Sequence, residues 1–348
     1  MRNFFVLTLS FMILLATIPC ISLFYKDEVL TRSDAVLSSQ TTAATATNEK
    51  NANKSETVET ATKNKQASSR HIDKVKVWLH KQKKTVTVTH AFYLMSVLAK
   101  EIDIHAPDEA LKAQAVCIET FLKRTAAALQ DKPYDISDDP AVHQAFLTQK
   151  ALKDFWGEDY EKNYKKLQKI LTAVDGEYLR YQGEVILAAY HSCNAGKTES
   201  AANYWGKDYP YLISVASPGD TLTPFYRQSV SLSAKSFQAK LGTLSDKAFS
   251  FSDSPSDWLG EIRFTPAGTV SQMEVAGVTL SGREVRSALG LKSAFFTPIY
   301  RDGKFIFEVS GYGHGVGLSQ EGAKYLAKLG FDYKQILTHY YKGVEIVS

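Results

Sequence analysis

Phe4 to Phe24 is a run of 21 residues without a charge, bounded by Arg2 on one side and by Lys26, Asp27 and Glu28 on the other. This run decides on which side of a membrane the remainder of the chain must fold, so it constrains the protein more than any other feature. About 20 apolar residues span a hydrocarbon core as a helix. A cleaved signal peptide has a shorter apolar stretch, roughly 7–15 residues, and small residues at its cleavage site. Here Ile21, Leu23, Phe24 and Tyr25 are bulky, and Pro19 stands before Cys20 where a lipidated cysteine needs a small neighbour. The run therefore reads as a retained single-pass transmembrane anchor over 1–25. The few flanking basic residues give only a soft guide to orientation. The tail ahead of the anchor is too short to hold a domain.

Residues 26–72 read as a disordered tether. From Thr41 to Arg70 they contain no Trp, Tyr, Phe or Leu, and such a stretch cannot bury enough apolar surface to offset its ordering entropy. A flexible chain of about 45 residues has a root-mean-square span of roughly 35–40 Å. That reach suits a head working on something extended beside a membrane, and equally suits a plain spacer.

The folded part is thus 73–348. With 44% hydrophobic and 11% aromatic residues the chain has ample material for a core, which excludes a wholly disordered, collagenous or coiled-coil protein. The 41 Lys and Arg against 37 Asp and Glu leave only +4, too even a balance for a nucleic-acid binder. Cys20, Cys117 and Cys193 are too few for a disulfide scaffold and lack zinc-finger spacing. Whether Cys117 and Cys193 pair is open.

Val75, Val77 and Leu79, then Val86 and Val88, alternate around the turn-like residues 81–84 and predict a hairpin. A helical stripe follows at Leu94, Val97, Leu98, Glu101 and Ile102, and a second, starting near Pro107 and Asp108, at Leu111, Gln114, Ala115, Ile118 and Leu122. A lysine-rich helix is expected over about 159–173, and a second hairpin from Tyr178–Tyr181 and Val185–Tyr190. Alternation at 227–232, 258–264, 271–275 and 304–309 makes about 222–310 a β-rich insertion, and a final helix is expected near 319–329, stopped by Gly330. Helices and strands are segregated, so the class is α+β, with a helical part around Glu101 and a β-rich part.

Two residues break the helical stripes. Glu101 is a carboxylate at a position the periodicity assigns to the buried face; desolvation there raises its pKa and suits it to general acid work. The alternative is a glutamate paired with a buried base. Gln114 repeats the anomaly one helix later and reads by itself as a satisfied core amide. A polar cluster, Tyr190 to Glu199, follows an apolar strand. Its Cys193 is too near His191 in sequence for an ordinary nucleophile pair. Residues 311–322 carry five glycines in twelve positions with His314, Ser319 and Gln320. Alternate glycines leave one side of the backbone bare, so that a polymer or another chain can approach closely, and Ser319 is placed to cap the next helix.

Taken together, YLMSVLAKEI (93–102), ALKAQAVCIETF (110–121), the segment 188–220 and GYGHGVGLSQEGAKYLA (311–327) resemble the stage II sporulation protein D family, or SpoIID/LytB domain family. The terminal ILTHYYKGVEI matches the family's ending. The resemblance implies a membrane-anchored lytic transglycosylase, a lyase that cleaves peptidoglycan glycan strands already stripped of stem peptides and leaves 1,6-anhydro-muramic acid. It implies work in forespore engulfment, with a peptidoglycan amidase and another sporulation membrane protein as partners. The implied location is the mother-cell membrane, with the catalytic domain outside the cytoplasm. Glu101 falls at the family's catalytic glutamate; Gln114, His191, Ser192, His314 and Gln320 fall at motif positions lining its cleft. Some members bind zinc through a Cys-x4-His-Cys run, where this chain has Ser137, Val142 and His143. A structural zinc site normally needs four protein ligands, so no metal and no other cofactor is expected here. Two other functions compete: a non-catalytic glycan-binding scaffold for a partner amidase, and a hydrolase releasing reducing-end muramic acid.

Overall fold

A computed structural model describes residues 73–224 and 226–348. The expected anchor and tether lie outside the described residues, and among the described residues no helix is long and apolar enough to cross a membrane. Ile72–Ser348 forms one compact unit of mixed α+β structure.

The chain opens with the expected hairpin, β1 (Lys74–Leu79) and β2 (Lys84–Thr89), in antiparallel register with Val77 opposite Val86. Val75, Val77 and Leu79 turn to the core as the alternation requires. Thr89 then caps α1 (His90–Glu101), its side chain accepting from the Phe92 amide. After a short extended break, α2 (Asp108–Ala128) begins behind Pro107 with Asp108 and Glu109 in its first turn, where the helix dipole favours acidic side chains. β3 (Ile136–Ser137) adds in parallel to β1, and α3 (Gln149–Trp156) and α4 (Tyr160–Ala173) follow. β4 (Tyr178–Tyr181) pairs with β5 (Glu184–Val185) on one side and with the final strand, Glu345–Val347, on the other.

The arm expected over Val185–Tyr190 is corrected: only Val185 is in register with β4, and the Ile186 amide makes the last bond to it, donating to the Leu179 carbonyl at 3.2 Å. The Leu187 amide leaves the ladder to donate to the Tyr211 hydroxyl at 3.0 Å. Tyr190–His191, β6, lies instead in parallel against Leu318–Ser319. An apolar run alone does not show which partner takes its backbone. The short α5 (Ala201–Trp205) completes this stretch.

Residues 227–310 form the β-rich part, with a core of its own. β7 (Arg227–Ser233), β11 (Phe296–Arg301) and β12 (Lys304–Ser310) make one antiparallel sheet in the order β11-β12-β7. β8 (Leu259–Phe264), β9 (Val270–Val275) and β10 (Val278–Ser281) make a second. Phe237 stacks on Phe305 with ring centroids 4.1 Å apart, beside Trp258 and Phe307. Two helices missed in the sequence lie here, α6 (Ala234–Leu241) and α7 (Gly282–Leu289). Each starts at a serine cap, Ser233 and Ser281, where strand alternation gives out.

β13 (Leu318–Ser319) leads into α8 (Gln320–Lys328), capped by Ser319. The expected final helix is not the last one. Gly330 turns the chain with φ +86°, and Asp332 with Gln335 forms a capping box that starts α9 (Tyr333–Tyr340). The helix α2 is the hub of this half, packing against α1, α4, α8 and α9.

Phe237→Ala should cost about 3–5 kcal/mol, the range for deleting a buried aromatic. A chemical-denaturation midpoint that does not fall would show that the β-rich core contributes nothing to the stability of the unit.

Candidate functional site

Glu101 closes α1. Ile102 turns extended (φ −133°, ψ 146°), so the carboxyl leaves from the helix C-terminus, where the negative end of the dipole opposes ionisation. It is half-buried among the side chains that the stripe placed around it. One carboxylate oxygen accepts the Ala145 amide at 3.1 Å, and the Tyr190 hydroxyl donates to the same group. Burial raises the pKa. The two hydrogen bonds and the charge of Lys100 pull it down, and burial prevails.

Gln320 reaches this helix end from α8. Its Nε2 donates to the Glu101 backbone carbonyl at 2.8 Å and lies 3.3 Å from Gln114 Oε1. Gln114 itself is fully buried, and its Nε2 finds no partner. The expectation that Gln114 lines a cleft is therefore corrected: with no exposed surface, it steadies Gln320.

The second cluster is built on a seam. β6 and β13 run parallel, with Tyr190 opposite Leu318 and His191 opposite Ser319. Bridges at Cys193–Tyr312 and Glu199–Val316 extend the pairing on either side. Gly311, Gly313, Gly315 and Gly317 all have positive φ. A methyl group on Gly313 would stand 2.7 Å from His191 Cβ, and one on Gly317 would overlap the Ala189 carbonyl. The bare side of the glycine segment is thus filled by residues 189–194 of the same chain, which corrects the expectation that it admits a polymer.

The seam buries His191, which is 4% exposed. Its Nδ1 hydrogen-bonds the Val316 carbonyl at 3.2 Å, and its Nε2 faces the Asn194 side-chain amide at 3.3 Å. Nδ1 therefore carries the proton and Nε2 accepts. Burial, with a small push from His314, lowers its pKa to about 3, so the ring is neutral. Like Gln114, it is corrected from a lining residue to one enclosed by protein atoms. His314 keeps exposed surface. Its Nδ1 accepts the Val316 amide at 3.0 Å, and the ring also hydrogen-bonds the Tyr190 backbone. It too is neutral, lowered to about 4 by burial and then by Arg286. Trp205 and Tyr204 stand against it with centroids 5.2 and 6.1 Å away. Ser192 is half-buried, its carbonyl accepting the Glu321 amide at 3.0 Å.

The β-rich part clamps this wall. Arg286 donates to the Tyr204 hydroxyl at 2.7 Å, and the Gly313 amide donates to the Lys292 carbonyl at 2.9 Å. Glu199, 1% exposed, accepts from Ser200 N, Asn203 Nδ2 and the hydroxyls of Thr265 and Thr269.

Tyr190 joins the halves: its hydroxyl meets Glu101 and its backbone meets His314. Sequence reading named it only as the start of the polar cluster, with no role of its own, and passed over Gln144, whose side chain bridges Tyr93 and Tyr190. Tyr190 stood beside a named residue and was discoverable; Gln144 reaches its partners across about 50 residues of chain, beyond any local pattern. Two of the three residues at the zinc-run positions are tied together, the Ser137 amide donating to His143 Nδ1 at 3.3 Å, and the third, Val142, is exposed. Cys117 and Cys193 are free and buried, which settles their pairing; burial lifts the first to about 12 and the second to about 11.

Asp220 is fully buried under the seam, accepting from the Ser319 hydroxyl, which in turn caps α8 through the Gly322 amide. Desolvation lifts its pKa to about 7 from the ordinary 3.8, against the Ser319 hydrogen bond and the polar groups of Ser217 and the Asn194 backbone nearby. The folded protein therefore holds a proton between about pH 4 and pH 7 that the unfolded chain releases. This contribution to stability falls as pH rises through that window, by up to about 1.4 kcal/mol per unit. Asp220→Asn keeps the acceptor and cannot titrate. Its stability relative to the native protein should climb from pH 4 to pH 7, read from urea melts; a constant difference would refute the assignment. The buried histidines are common to both proteins and cancel.

A family model described as stage II sporulation protein matches residues 78–181, the stretch holding Glu101, Gln114 and Gln144. The stage II sporulation protein D of Bacillus amyloliquefaciens is 36% identical over 258 residues, 73% of each chain. That of Bacillus subtilis (strain 168) is 35% identical over 257 residues, again 73% of each. A more distant relative from Bacillus subtilis, named amidase enhancer, is 25% identical over 306 residues and is covered to 40% of its length.

Proposed function

The chain belongs to the stage II sporulation protein D family, and on that footing we propose that it is a lytic transglycosylase that cuts peptidoglycan glycan strands during sporulation, with Glu101 as its working carboxylate. The observation that carries this reading is a half-buried carboxyl at a helix end, held by the Ala145 amide and the Tyr190 hydroxyl, with its pKa raised by burial.

Glu101, protonated, donates to the glycosidic oxygen as the bond to the muramic acid anomeric carbon breaks, and an oxocarbenium-like sugar develops. The ionised carboxylate then takes the proton of that sugar's 6-hydroxyl. The hydroxyl oxygen attacks the anomeric carbon and closes the 1,6-anhydro ring. One carboxyl serves as acid and then as base, and a pKa near the working pH favours both halves of the cycle. Ser192 and His314 keep surface with which to meet the sugar. Both ring nitrogens of His314 are engaged within the protein, so it offers a neutral ring face without a charge that would repel the cationic sugar. Strands stripped of stem peptides are the proposed substrate. The proposed setting is the outer side of a membrane that the amino-terminal run anchors, with an amidase and a second sporulation membrane protein as partners. No cofactor enters the scheme.

The name of the amidase-enhancer relative favours a second reading, in which the head binds glycan and holds an amidase without cutting. One substitution separates the two. Glu101→Gln keeps the shape but cannot cycle a proton, and should lower release of anhydro-ended saccharides from denuded glycan by about 10²–10⁴-fold. Mass spectrometry checks the product, which is lighter by one water than a hydrolase's. Equal release by the native protein and Glu101→Gln would sink the enzyme reading.

A further inference from the structure

The carboxyl of Glu101 is met by a chain of three polar side chains, Tyr93 and Gln144 buried and Tyr190 half-buried, whose hydrogen-bond directions are not free. The Tyr93 hydroxyl donates to Gln144 Oε1 at 2.9 Å, and Gln144 Nε2 donates to the Tyr190 oxygen at 3.2 Å. The Tyr190 hydroxyl donates to Glu101. Tyr93 is 0% and Gln144 1% exposed, so at the Tyr93–Gln144 end no water offers an exchange partner. A carboxamide nitrogen only donates and its oxygen only accepts. With Nε2 turned to Tyr190, the tyrosine oxygen must accept, and its single proton is left for Glu101. Turning the amide round would make Tyr190 spend that proton on Oε1, and would leave the buried Tyr93 hydroxyl facing an N–H₂ with its own proton unpaired. An unpaired buried donor is costly. Tyr93 therefore fixes which way Gln144 faces, and Gln144 fixes which way Tyr190 points.

We propose that Tyr93, Gln144 and Tyr190 form a one-way hydrogen-bond relay that delivers a permanent donor to Glu101, with Tyr190 as the positioning residue in contact and Tyr93 as the residue that sets the polarity of the chain from a distance. The relay is held against α1 by its neighbours: the Leu147 amide donates to Ser96 Oγ, which donates back to the Leu147 carbonyl, both at 2.7 Å. Both tyrosines have pKa values well above 10, by burial and then by the nearby Glu101 charge, so each stays a donor throughout the working range. The other groups that bear on Glu101 are the Ala145 amide on its carboxylate, Lys100 on its own helix and Gln320 on its backbone carbonyl. None depends on the direction of the Gln144 amide. A donor to the carboxylate favours its ionised form, so the relay holds down a pKa that burial raises. It thereby keeps the carboxyl able to act as base after it has acted as acid.

The inference rests on Glu101 being the working carboxylate, so its test reads the carboxyl directly and without substrate. In 73–348 protein carrying ¹³C-labelled glutamate, the Glu101 resonance is identified by its loss in Glu101→Gln, and its titration midpoint is followed by NMR. Tyr190→Phe should move that midpoint up by about one pH unit. Tyr93→Phe, which leaves Tyr190 in place, should move it up by a similar amount, because Gln144 can then turn. The double variant should lie no higher than Tyr190→Phe alone. A midpoint unmoved by either single substitution overturns the relay, as do shifts that add in the double variant. Thermal melts and amide spectra identify any variant that has lost its fold, for which Gln144→Glu is the replacement. A glutamate presents acceptors to both tyrosines, draws the Tyr190 proton to itself, and should raise the midpoint as well. An enzyme inactive on glycan whose Glu101 midpoint still shifts as described would refute the transglycosylase reading and leave the relay standing.

Discussion

The closeness of two backbones at the seam between residues 189–199 and 311–319 is the constraint on which the rest depends. Parallel pairing of β6 with β13 needs the glycine segment to pass at a distance that excludes side chains, and it needs left-handed backbone at alternate residues. Once that contact is made, its consequences are ordered. Tyr190 is fixed with its hydroxyl toward Glu101 and its backbone toward His314. Ser319 is set to cap α8, and α8 presents Gln320 to the end of α1. A hydrogen-bonded corner between two remote parts of the chain thus places an acid side chain that belongs to neither.

The helical half of this arrangement is legible in the sequence because helix periodicity is local. The stripe around Leu94, Val97, Leu98 and Ile102 is buried, and Glu101 sits among them; Gln114 is buried where the second stripe places it. The glycine segment is legible as unusual but not in its use. Its bare edge suggested room for a ligand, whereas residues 189–194 occupy it, and nothing in the spacing of glycines distinguishes the two. The helices α6, α7 and α9 escaped because each is short and its start is marked by a cap of one or two side chains rather than by a long periodic face. Tyr93, Gln144 and Tyr190 escaped as a unit, since three residues separated by about 50 positions form a pattern only after folding.

The β-rich part has its own aromatic core, yet touches the site through a few polar contacts: Arg286 to Tyr204, Lys292 to Gly313, and Thr265 and Thr269 to Glu199. A buried carboxyl held by hydroxyls and amides, with no ion pair among the described residues, fixes position by geometry more than by charge. Trp205 and Tyr204 owe their orientation against His314 to this bracing. The part reads as a buttress, whose interior can vary as long as those few donors remain where the wall needs them.

The two thiols carry a last consequence. Cys117 and Cys193 are enclosed, apart, and almost wholly protonated at neutral pH, and it is the thiolate that attacks disulfides and peroxides. Oxidants and mixed-disulfide exchange therefore find little to act on in the folded chain. The folded unit can hold these two cysteines without a redox partner, and neither thiol makes its shape depend on reducing or oxidising surroundings.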